Sequence, residues 1–294
     1  MSKPLFRNVV IVGLGLIGGS LGMAIKKKRL AGTVHGIPRT VRGSRHLKLL
    51  RRATDSVLIG QGKIEAALKN ADLVVLAMPV LTNKTWLEKN ASRIGRRAVV
   101  VDVGSTKADI ERVATRLLGK KRFVGCHPMA GSEKTGIEYA TAGLFLNSNC
   151  FVTRAHAGVE RLWKAVGARP VQVTAAEHDA WVARTSHLPH VLAFVLLRLA
   201  GNASEKAILN SIGYLNPSFK GSARLAKSEA GLWADILWTN RSELLKAIAE
   251  FERNLADFKK AMKESNIVRA HLAFVRLIKI ANYNANLLMP NGDA

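Results

Sequence analysis

A histidine among glycines, His127 in the segment FVGCHPMAGSEKTG, is the residue best placed to do chemistry in this chain. It follows an apolar, strand-like run, and open α/β sheets bind their ligands at the carboxyl ends of the strands. An unperturbed histidine titrates close to neutral pH, so its imidazole can accept a proton from a hydroxyl group while hydride leaves the same carbon. Taken alone, such a histidine is more often structural. A nucleotide site at the same edge of the sheet favours the functional interpretation.

Three spaced glycines predict that nucleotide site. Residues 9–22 read VVIVGLGLIGGSLG, a β-branched run followed by the spacing G-x-G-x-x-G and then a helix-like segment. Gly13 permits a tight turn, Gly15 lets the backbone approach a pyrophosphate, and Gly18 lets the helix pack closely on the strand. The helix that starts at this point offers its free amide groups to the phosphates.

A membrane anchor is the alternative for the same stretch, because residues 8–25 carry no charge and Lys3 and Arg7 precede them. Five glycines in that window argue against a stable apolar helix, and no small-residue cleavage site follows before KKKR. The nucleotide site is therefore the better interpretation.

The residues after the predicted second strand favour NADP over NAD. Sites for NAD place an acidic residue about 20 positions after the glycines, where it binds the ribose 2′-hydroxyl. Here that place reads GIPRT, and residues 1–54 contain neither Asp nor Glu. Arg39 can pair with a 2′-phosphate, and the alternative that it is merely exposed fits its position less well. The residues expected to bind the cofactor are Gly13, Gly15, Leu16, Ile17, Gly18, Arg39, Thr40 and Pro79.

The elements that must position these residues change character near residue 174. Strand-like runs are expected at 9–12, 33–37, 72–78, 98–103, 123–126, 150–153 and 171–173, with helices at about 17–29, 62–70, 107–118 and 158–166. From His178 onward the pattern is helical, at 178–201, 205–213, 220–226, 229–262 and 266–287. We expect an α/β fold: a doubly wound, mostly parallel Rossmann sheet at 1–174 and an all-helical domain at 175–294. His178 and Asp179 are expected to start the first of these helices.

Composition narrows the class of protein further. The net charge is +24, but the basic residues are scattered and lack interleaved aromatics, so a specific nucleic-acid site is not expected. Two cysteines form neither a disulfide framework nor a metal motif, which predicts a cytoplasmic protein without a bound metal. No other segment is long and apolar enough to span a bilayer.

Taken together, the motifs resemble those of the prephenate/arogenate dehydrogenase family of tyrosine biosynthesis. Nearly the whole chain is covered by GLGLIGGSLG, DVGSTK, CHPMAGSEKTG and SHLPH in that order, followed by FK…R-x-A…W-x-D-I. The resemblance implies a nucleotide-binding domain joined to a helical dimerisation domain, and hence a homodimer. No mutase or regulatory domain is expected beyond the helical part.

The resemblance also assigns roles residue by residue. His127 would accept the proton of the ring hydroxyl, Ser105 would orient that hydroxyl, and Arg224 would bind a substrate carboxylate with its planar guanidinium. Glu133 is equally readable as a solvated turn residue. The residues expected to line the substrate pocket are His187, Glu133, Ser132 and Trp233. Residues 221–223 read Gly-Ser-Ala, where relatives often carry an acidic residue and a threonine.

The implied reaction is the NADP-dependent oxidative decarboxylation of a cyclohexadienol that carries two carboxylates, either prephenate or arogenate. A β-hydroxyacid dehydrogenase or imine reductase with the same two-domain plan is an alternative. Those enzymes often use a lysine in the first C-terminal helix, and residues 179–195 contain none. A non-catalytic, basic NADP-binding or nucleic-acid-binding protein is the third interpretation.

Overall fold

A single mixed sheet dominates the computed structural model, which describes residues 3–131, 134–201 and 217–289. The eight strands of the described part have the order β3-β2-β1-β4-β5-β6-β7-β8. Only the β6–β7 pair in this sheet is antiparallel. The strands are β1 Phe6–Val12, β2 Ala31–Ile37, β3 Ser56–Val57, β4 Leu73–Leu76, β5 Val99–Asp102, β6 Phe123–Pro128, β7 Asn149–Val152 and β8 Arg169–Gln172.

Helices cover both faces of this sheet and then continue without further strands in the described residues. They are α1 Leu16–Lys27, α2 Gly43–Ala53, α3 Gln61–Lys69, α4 Val80–Asn90, α5 Ala108–Leu118, α6 Ala157–Ala165, α7 Ala175–Val182, α8 Leu188–Gly201, α9 Pro217–Ala226, α10 Ala230–Thr239, α11 Arg241–Met262 and α12 Ile267–Leu288. A π-helical turn, Ala183–His187, joins α7 to α8. Short 3₁₀ turns lie at Ala91–Arg93, Lys120–Arg122 and Ile137–Tyr139.

The strands form where apolar residues run without interruption. Successive side chains of a strand point to opposite faces, and in β1 the pairs Val9/Ile11 and Val10/Val12 enter two separate cores. All four of these side chains are buried, as expected for a parallel sheet that is covered on both sides. The predicted α/β class with a mostly parallel doubly wound sheet is confirmed.

Three elements differ from the prediction. The two-residue strand β3 is too short to give a periodic signal, and helices α2 and α4 were not predicted. Helix α2 reads GSRHLKLLRRA and buries only Leu50 and Ala53, so its apolar face is short. The predicted helix at 205–213 lies outside the described residues.

The start of α7 also corrects the sequence interpretation. The side chain of Thr174 accepts a hydrogen bond from the backbone amide of Glu177, and the carboxylate of Glu177 accepts one from the backbone amide of Thr174. This capping box begins the helix at Ala175, so His178 and Asp179 are not needed to start it. Both of these side chains are instead buried.

The described chain divides into two compact units, residues 1–241 and 242–294. The second unit consists of most of α11 and all of α12. Helix α12 has no buried residue, and the large apolar side chains it exposes are Ile267, Val268, Leu272, Ile278, Ile280, Tyr283, Leu287 and Leu288. The domain boundary predicted after Thr174 coincides with the change from strands to helices and stays a prediction about folding units. No helix in the described residues is long and apolar enough to cross a membrane.

Candidate active site

The turn between β1 and α1 is shaped by three glycines, and at two of them any other residue would clash. Gly13 has a φ of +91°, and a Cβ added there would lie 2.7 Å from the carbonyl oxygen of Ala77. A Cβ on Gly18 would lie 2.0 Å from the carbonyl oxygen of Gly13. At Gly15 an added Cβ would meet nothing within 4 Å, so this side of the turn faces open space. The backbone is therefore accessible where a pyrophosphate would approach it.

The amino end of α1 completes this cradle. No side chain caps the helix and its first turn contains no acidic residue, which leaves the amide groups near Leu16 and Ile17 to a bound anion. Arg39 and Thr40 follow the end of β2 and are exposed. Pro79 lies between β4 and α4, immediately before the first residue of the helix. These residues lie at the carboxyl ends of adjacent strands. The arrangement fits a dinucleotide.

The candidate base lies on the same edge of the sheet. His127 is near the end of β6 and is partly accessible, and Ser105 is half-buried in the loop after β5. Asp102, the last residue of β5, pairs with Gly125, so the loop that carries Ser105 leaves the sheet beside the part of β6 that contains His127. The hydroxyl of Thr106 also lies 2.8 Å from the hydroxyl of Thr239 in α10. This contact brings the loop after β5 against the helical region.

His127 is joined to a second imidazole and a carboxylate. Its Nδ1 lies 2.8 Å from Nε2 of His178, and Nδ1 of His178 lies 2.7 Å from Oδ1 of Asp179. His178 and Asp179 are each 2% exposed, so water has little access to this chain of hydrogen bonds. Neither residue was predicted from the sequence as part of the site. Their spacing from Val182 places both residues on one face of α7, but only the structure shows that this face is buried and which partners its polar side chains meet.

Asp179 is fixed from two sides. Its carboxylate accepts hydrogen bonds of 2.8 Å from the backbone amides of Lys107 and Ala108, which begin α5. Its own carbonyl accepts a bond of 2.8 Å from Nδ2 of Asn240. Asp179 thus caps a helix to which it does not belong, and it ties three segments of the first unit together.

A buried ion pair lies beneath the same loop. Nζ of Lys107 contacts Oδ2 of Asp102, and both side chains are fully buried. Burial raises the pKa of Asp102, although the charge of Lys107 opposes this effect. The backbone amide of Gly104 donates a further bond of 3.0 Å to the same oxygen of Asp102. These contacts hold Asp102 in place, and the loop that carries Ser105 begins immediately after this residue.

Burial also keeps the candidate base neutral. It lowers the pKa of His127 well below the ordinary histidine value, and the positive charges that His178, Lys107 and His187 carry when protonated act in the same direction. Burial lowers the pKa of His187 to about 4, although the negative charge of Asp179 opposes it. At neutral pH these two imidazoles are therefore uncharged.

His187 occupies the widened turn between α7 and α8. Its Nδ1 lies 3.1 Å from the amide nitrogen of Asn240, so it accepts a hydrogen bond and its neutral ring carries the proton on Nε2. The π-helical turn immediately precedes α8, in which Pro189 lacks an amide hydrogen and crowds the carbonyl group four residues earlier. The wider turn accommodates this proline, and single π-helical turns are frequent at functional sites.

Two other residues predicted to bind substrate, Trp233 and Arg224, lie near His187 or near its neighbour His190. The ring of Trp233 meets His187 edge to face, with centroids 6.0 Å apart, and stacks on His190 at 3.7 Å. Arg224 in α9 is close enough for its charge to help lower the pKa of His190, after burial. The structure thus brings His187, Trp233 and Arg224 to one region. Ser132 and Glu133 lie outside the described residues. Among the described residues, no group of three or more His, Cys, Asp or Glu side chains could hold a metal ion.

Comparison with family models gives two adjacent matches along this chain. Residues 21–172 match the model described as prephenate dehydrogenase, nucleotide-binding domain. Residues 174–279 match the model described as prephenate dehydrogenase, dimerization domain. Together these matches cover most of the chain.

Individual relatives agree with these models. A cyclohexadienyl dehydrogenase from Zymomonas mobilis is 32% identical over 265 residues, which cover 87% of either chain. A prephenate dehydrogenase from Bacillus subtilis is 32% identical over 261 residues, 84% of this chain and 68% of the relative. The crystal structure of prephenate dehydrogenase from Aquifex aeolicus, in complex with hydroxyphenyl propionate and NAD+, superimposes with a TM-score of 0.82 at 28% identity. That match covers 97% of this chain and 99% of the other.

Proposed function

The chain belongs to the prephenate dehydrogenase family, and from this premise we propose that it catalyses the oxidative decarboxylation of prephenate or arogenate with NADP+. The observation that carries the proposal is a neutral, partly accessible imidazole at the carboxyl edge of a sheet whose neighbouring strands form a dinucleotide cradle. Such a base can take up a proton at neutral pH without first losing one of its own.

When bound, NADP+ supplies the acceptor for the hydride that leaves the ring carbon bearing the hydroxyl group. His127 receives the proton of that hydroxyl, and the departing carboxylate leaves as carbon dioxide while the ring becomes aromatic. Because aromatisation drives the reaction, the protein has to position the ring and accept one proton. Ser105, in the loop after the neighbouring strand, is proposed to orient the hydroxyl.

The carboxylates of the substrate determine the other roles. We assign one of them to Arg224, since a guanidinium can bind a carboxylate with two parallel hydrogen bonds. Nε2–H of His187 is proposed as a neutral donor to the substrate, because the contact with Asn240 fixes the orientation of the ring. Trp233 packs against His187 and forms part of the wall. Ser132 and Glu133 are proposed to line the pocket on the strength of the family motif alone.

NADP+ is preferred in this proposal because the edge of β2 carries no carboxylate. Arg39 follows that strand and is exposed, and no acidic residue precedes Asp55. A 2′-phosphate would therefore meet a guanidinium and no repelling charge. The relative from Aquifex aeolicus was crystallised with NAD+, so the choice rests on the residues of this chain.

A homodimer formed through the C-terminal helices is part of the proposal. The match to a dimerization domain and the apolar side chains exposed along α12 support it. Sedimentation velocity should give a mass of two chains, and a single-chain mass at micromolar concentration would contradict it. We propose the cytoplasm as its location because neither Cys126 nor Cys150 belongs to a disulfide framework.

One assay tests the proposed reaction. The purified protein is mixed with prephenate or arogenate and with NADP+ or NAD+, and the reduced cofactor is followed in all four combinations. We expect turnover with at least one substrate and higher kcat/KM with NADP+. No turnover in any combination would refute the proposed reaction, and equal or better turnover with NAD+ would refute the cofactor preference.

A further inference from the structure

We propose that His178 and Asp179 are a positioning pair, which holds His127 in the tautomer with its proton on Nδ1 and its Nε2 free to accept the substrate's proton. This inference rests on the proposed function, because it explains how the base of that reaction is oriented. It assigns no contact with substrate to either residue of the pair.

The carboxylate of Asp179 determines the direction of both hydrogen bonds that link it through His178 to His127. A carboxylate can only accept hydrogen bonds, so Nδ1 of His178 donates to Asp179 over the 2.7 Å between them. With a single proton on its ring, His178 then presents an unprotonated Nε2 to His127. Nδ1 of His127 must donate across the 2.8 Å contact, which leaves Nε2 of His127 as the acceptor.

The carboxylate of Asp179 is held rigidly. Both carboxylate oxygens of Asp179 accept backbone amides at the amino end of α5, a place that favours negative charge. Lys107, the residue before α5, has no side-chain cap of its own, so Asp179 fills that role from another helix. The carboxylate can therefore neither rotate away from His178 nor be replaced by water without loss of the cap.

The ring of His178, which lies between His127 and Asp179, is held in place as well. His178 is buried, and its ring meets that of Phe151 edge to face with centroids 5.5 Å apart. Its plane lies at 68° to that of His127. When His127 takes up a proton at Nε2, its Nδ1–H becomes a stronger donor to His178. The pair thus stabilises the imidazolium without a second proton transfer, as the aspartate does in a Ser-His-Asp triad.

The protonation state of His127 can be measured directly. In protein labelled with ¹⁵N at histidine, the chemical shifts of the two ring nitrogens show which of them carries the proton. The His127 signals are assigned by their loss in His127→Asn. We expect a protonated Nδ1 and an unprotonated Nε2 between pH 7 and 8. The opposite tautomer, or an equal mixture of the two, would overturn the proposal.

Two substitutions at His178 test the functional consequence. His178→Phe keeps a ring against Phe151 but removes both nitrogens, and we expect kcat to fall about 100-fold with KM for the substrate changed less than about threefold. His178→Gln restores an acceptor for Nδ1 of His127 and should recover activity to within about tenfold of the wild type. The matched control is His156→Asn, which removes a histidine beyond β7 and keeps a capping side chain for α6.

These outcomes separate the inference from the proposed function. If the wild type turns over substrate and both His178 variants keep its kcat, the positioning role is refuted while the reaction stands. If the two variants lose activity to the same extent with unchanged thermal midpoints, the acceptor role is refuted too. If either variant fails to fold, the tautomer measured in the wild type decides, and it requires no turnover.

Discussion

The nucleotide cradle and the proton-accepting site lie on one edge of the sheet, yet they are built from different parts of the chain. The cradle is made of backbone: Gly13, Gly15 and Gly18 lie within six consecutive positions and contribute no side chains. The proton-accepting site is made of side chains from β6, α7 and the segment after α10, joined by hydrogen bonds. The cradle requires residues without a Cβ atom, whereas the proton-accepting site requires particular side-chain nitrogens and oxygens.

This difference has a direct consequence for substitutions. In the cradle an added methyl group is harmful wherever the backbone is already in contact with a neighbour. In the proton-accepting site a removed nitrogen is harmful, because its hydrogen-bond partner stays buried without a replacement. The two regions should therefore respond to opposite kinds of change, and substitutions in each region can test this.

Loss of the base should have the largest effect. His127→Asn removes the imidazole nitrogen that accepts the proton while keeping a polar side chain, and we expect kcat to fall about 1000-fold, within the range typical of general bases. The KM for substrate should change much less, since His127 acts chiefly in the transition state. Steady-state kinetics at saturating NADP+ measure both values. A kcat within a factor of ten of the wild type would show that another group accepts the proton.

The buried imidazole of His187 should make stability depend on pH. Its pKa of about 4 in the folded chain lies below that of an unfolded histidine, so the unfolded chain binds more protons between about pH 6.5 and 4. Stability therefore falls as the pH drops through this interval, by about 3 kcal/mol from this residue alone. Urea unfolding at pH 7 and pH 4 measures the loss.

The matched variant for this measurement is His187→Gln, whose side chain does not titrate. It should be less stable than the wild type at pH 7 but should lose about 3 kcal/mol less on acidification. His156→Asn should lose as much stability between pH 7 and pH 4 as the wild type does. An identical loss of stability in His187→Gln and the wild type would show that His187 is not held neutral in the folded chain.

The contrast between the two sites also explains what could be predicted from the sequence. The cradle is local, so the spacing of three glycines after a strand was sufficient to predict it, and the apolar runs predicted most of the sheet. His178 and Asp179 could not be assigned in this way, because their partners are 51 and 72 residues away along the chain. Asn240 gave no signal either, since an asparagine at a helix end is usually read as a cap.

Gly18 and Gly15 serve two different purposes in the cradle: Gly18 permits close packing of the backbone, and Gly15 leaves space for the pyrophosphate. A Cβ on Gly18 would press against the backbone of Gly13, so Gly18→Ala should destabilise the chain by about 1–3 kcal/mol, as expected of overpacking. Gly15→Ala meets no protein atom and should leave stability within about 0.5 kcal/mol of the wild type. Its methyl group would instead occupy space needed by the pyrophosphate and raise the KM for NADP+. If Gly15→Ala changed stability and not that KM, the open side of the turn would not be the phosphate site.

The smallest effect is expected from the one side chain on which the cofactor preference depends. Arg39→Asp places a carboxylate where NAD-binding sites have one, so it should repel a 2′-phosphate and accept a bond from a 2′-hydroxyl. We expect the ratio of kcat/KM for NADP+ to that for NAD+ to fall at least tenfold, equivalent to about 1.4 kcal/mol. Arg42→Asp, three residues further on at the start of α2, is the matched control for the change in charge. An equal shift in both variants would indicate a general effect of the positive surface, whereas a shift confined to Arg39 would indicate a direct contact with the phosphate.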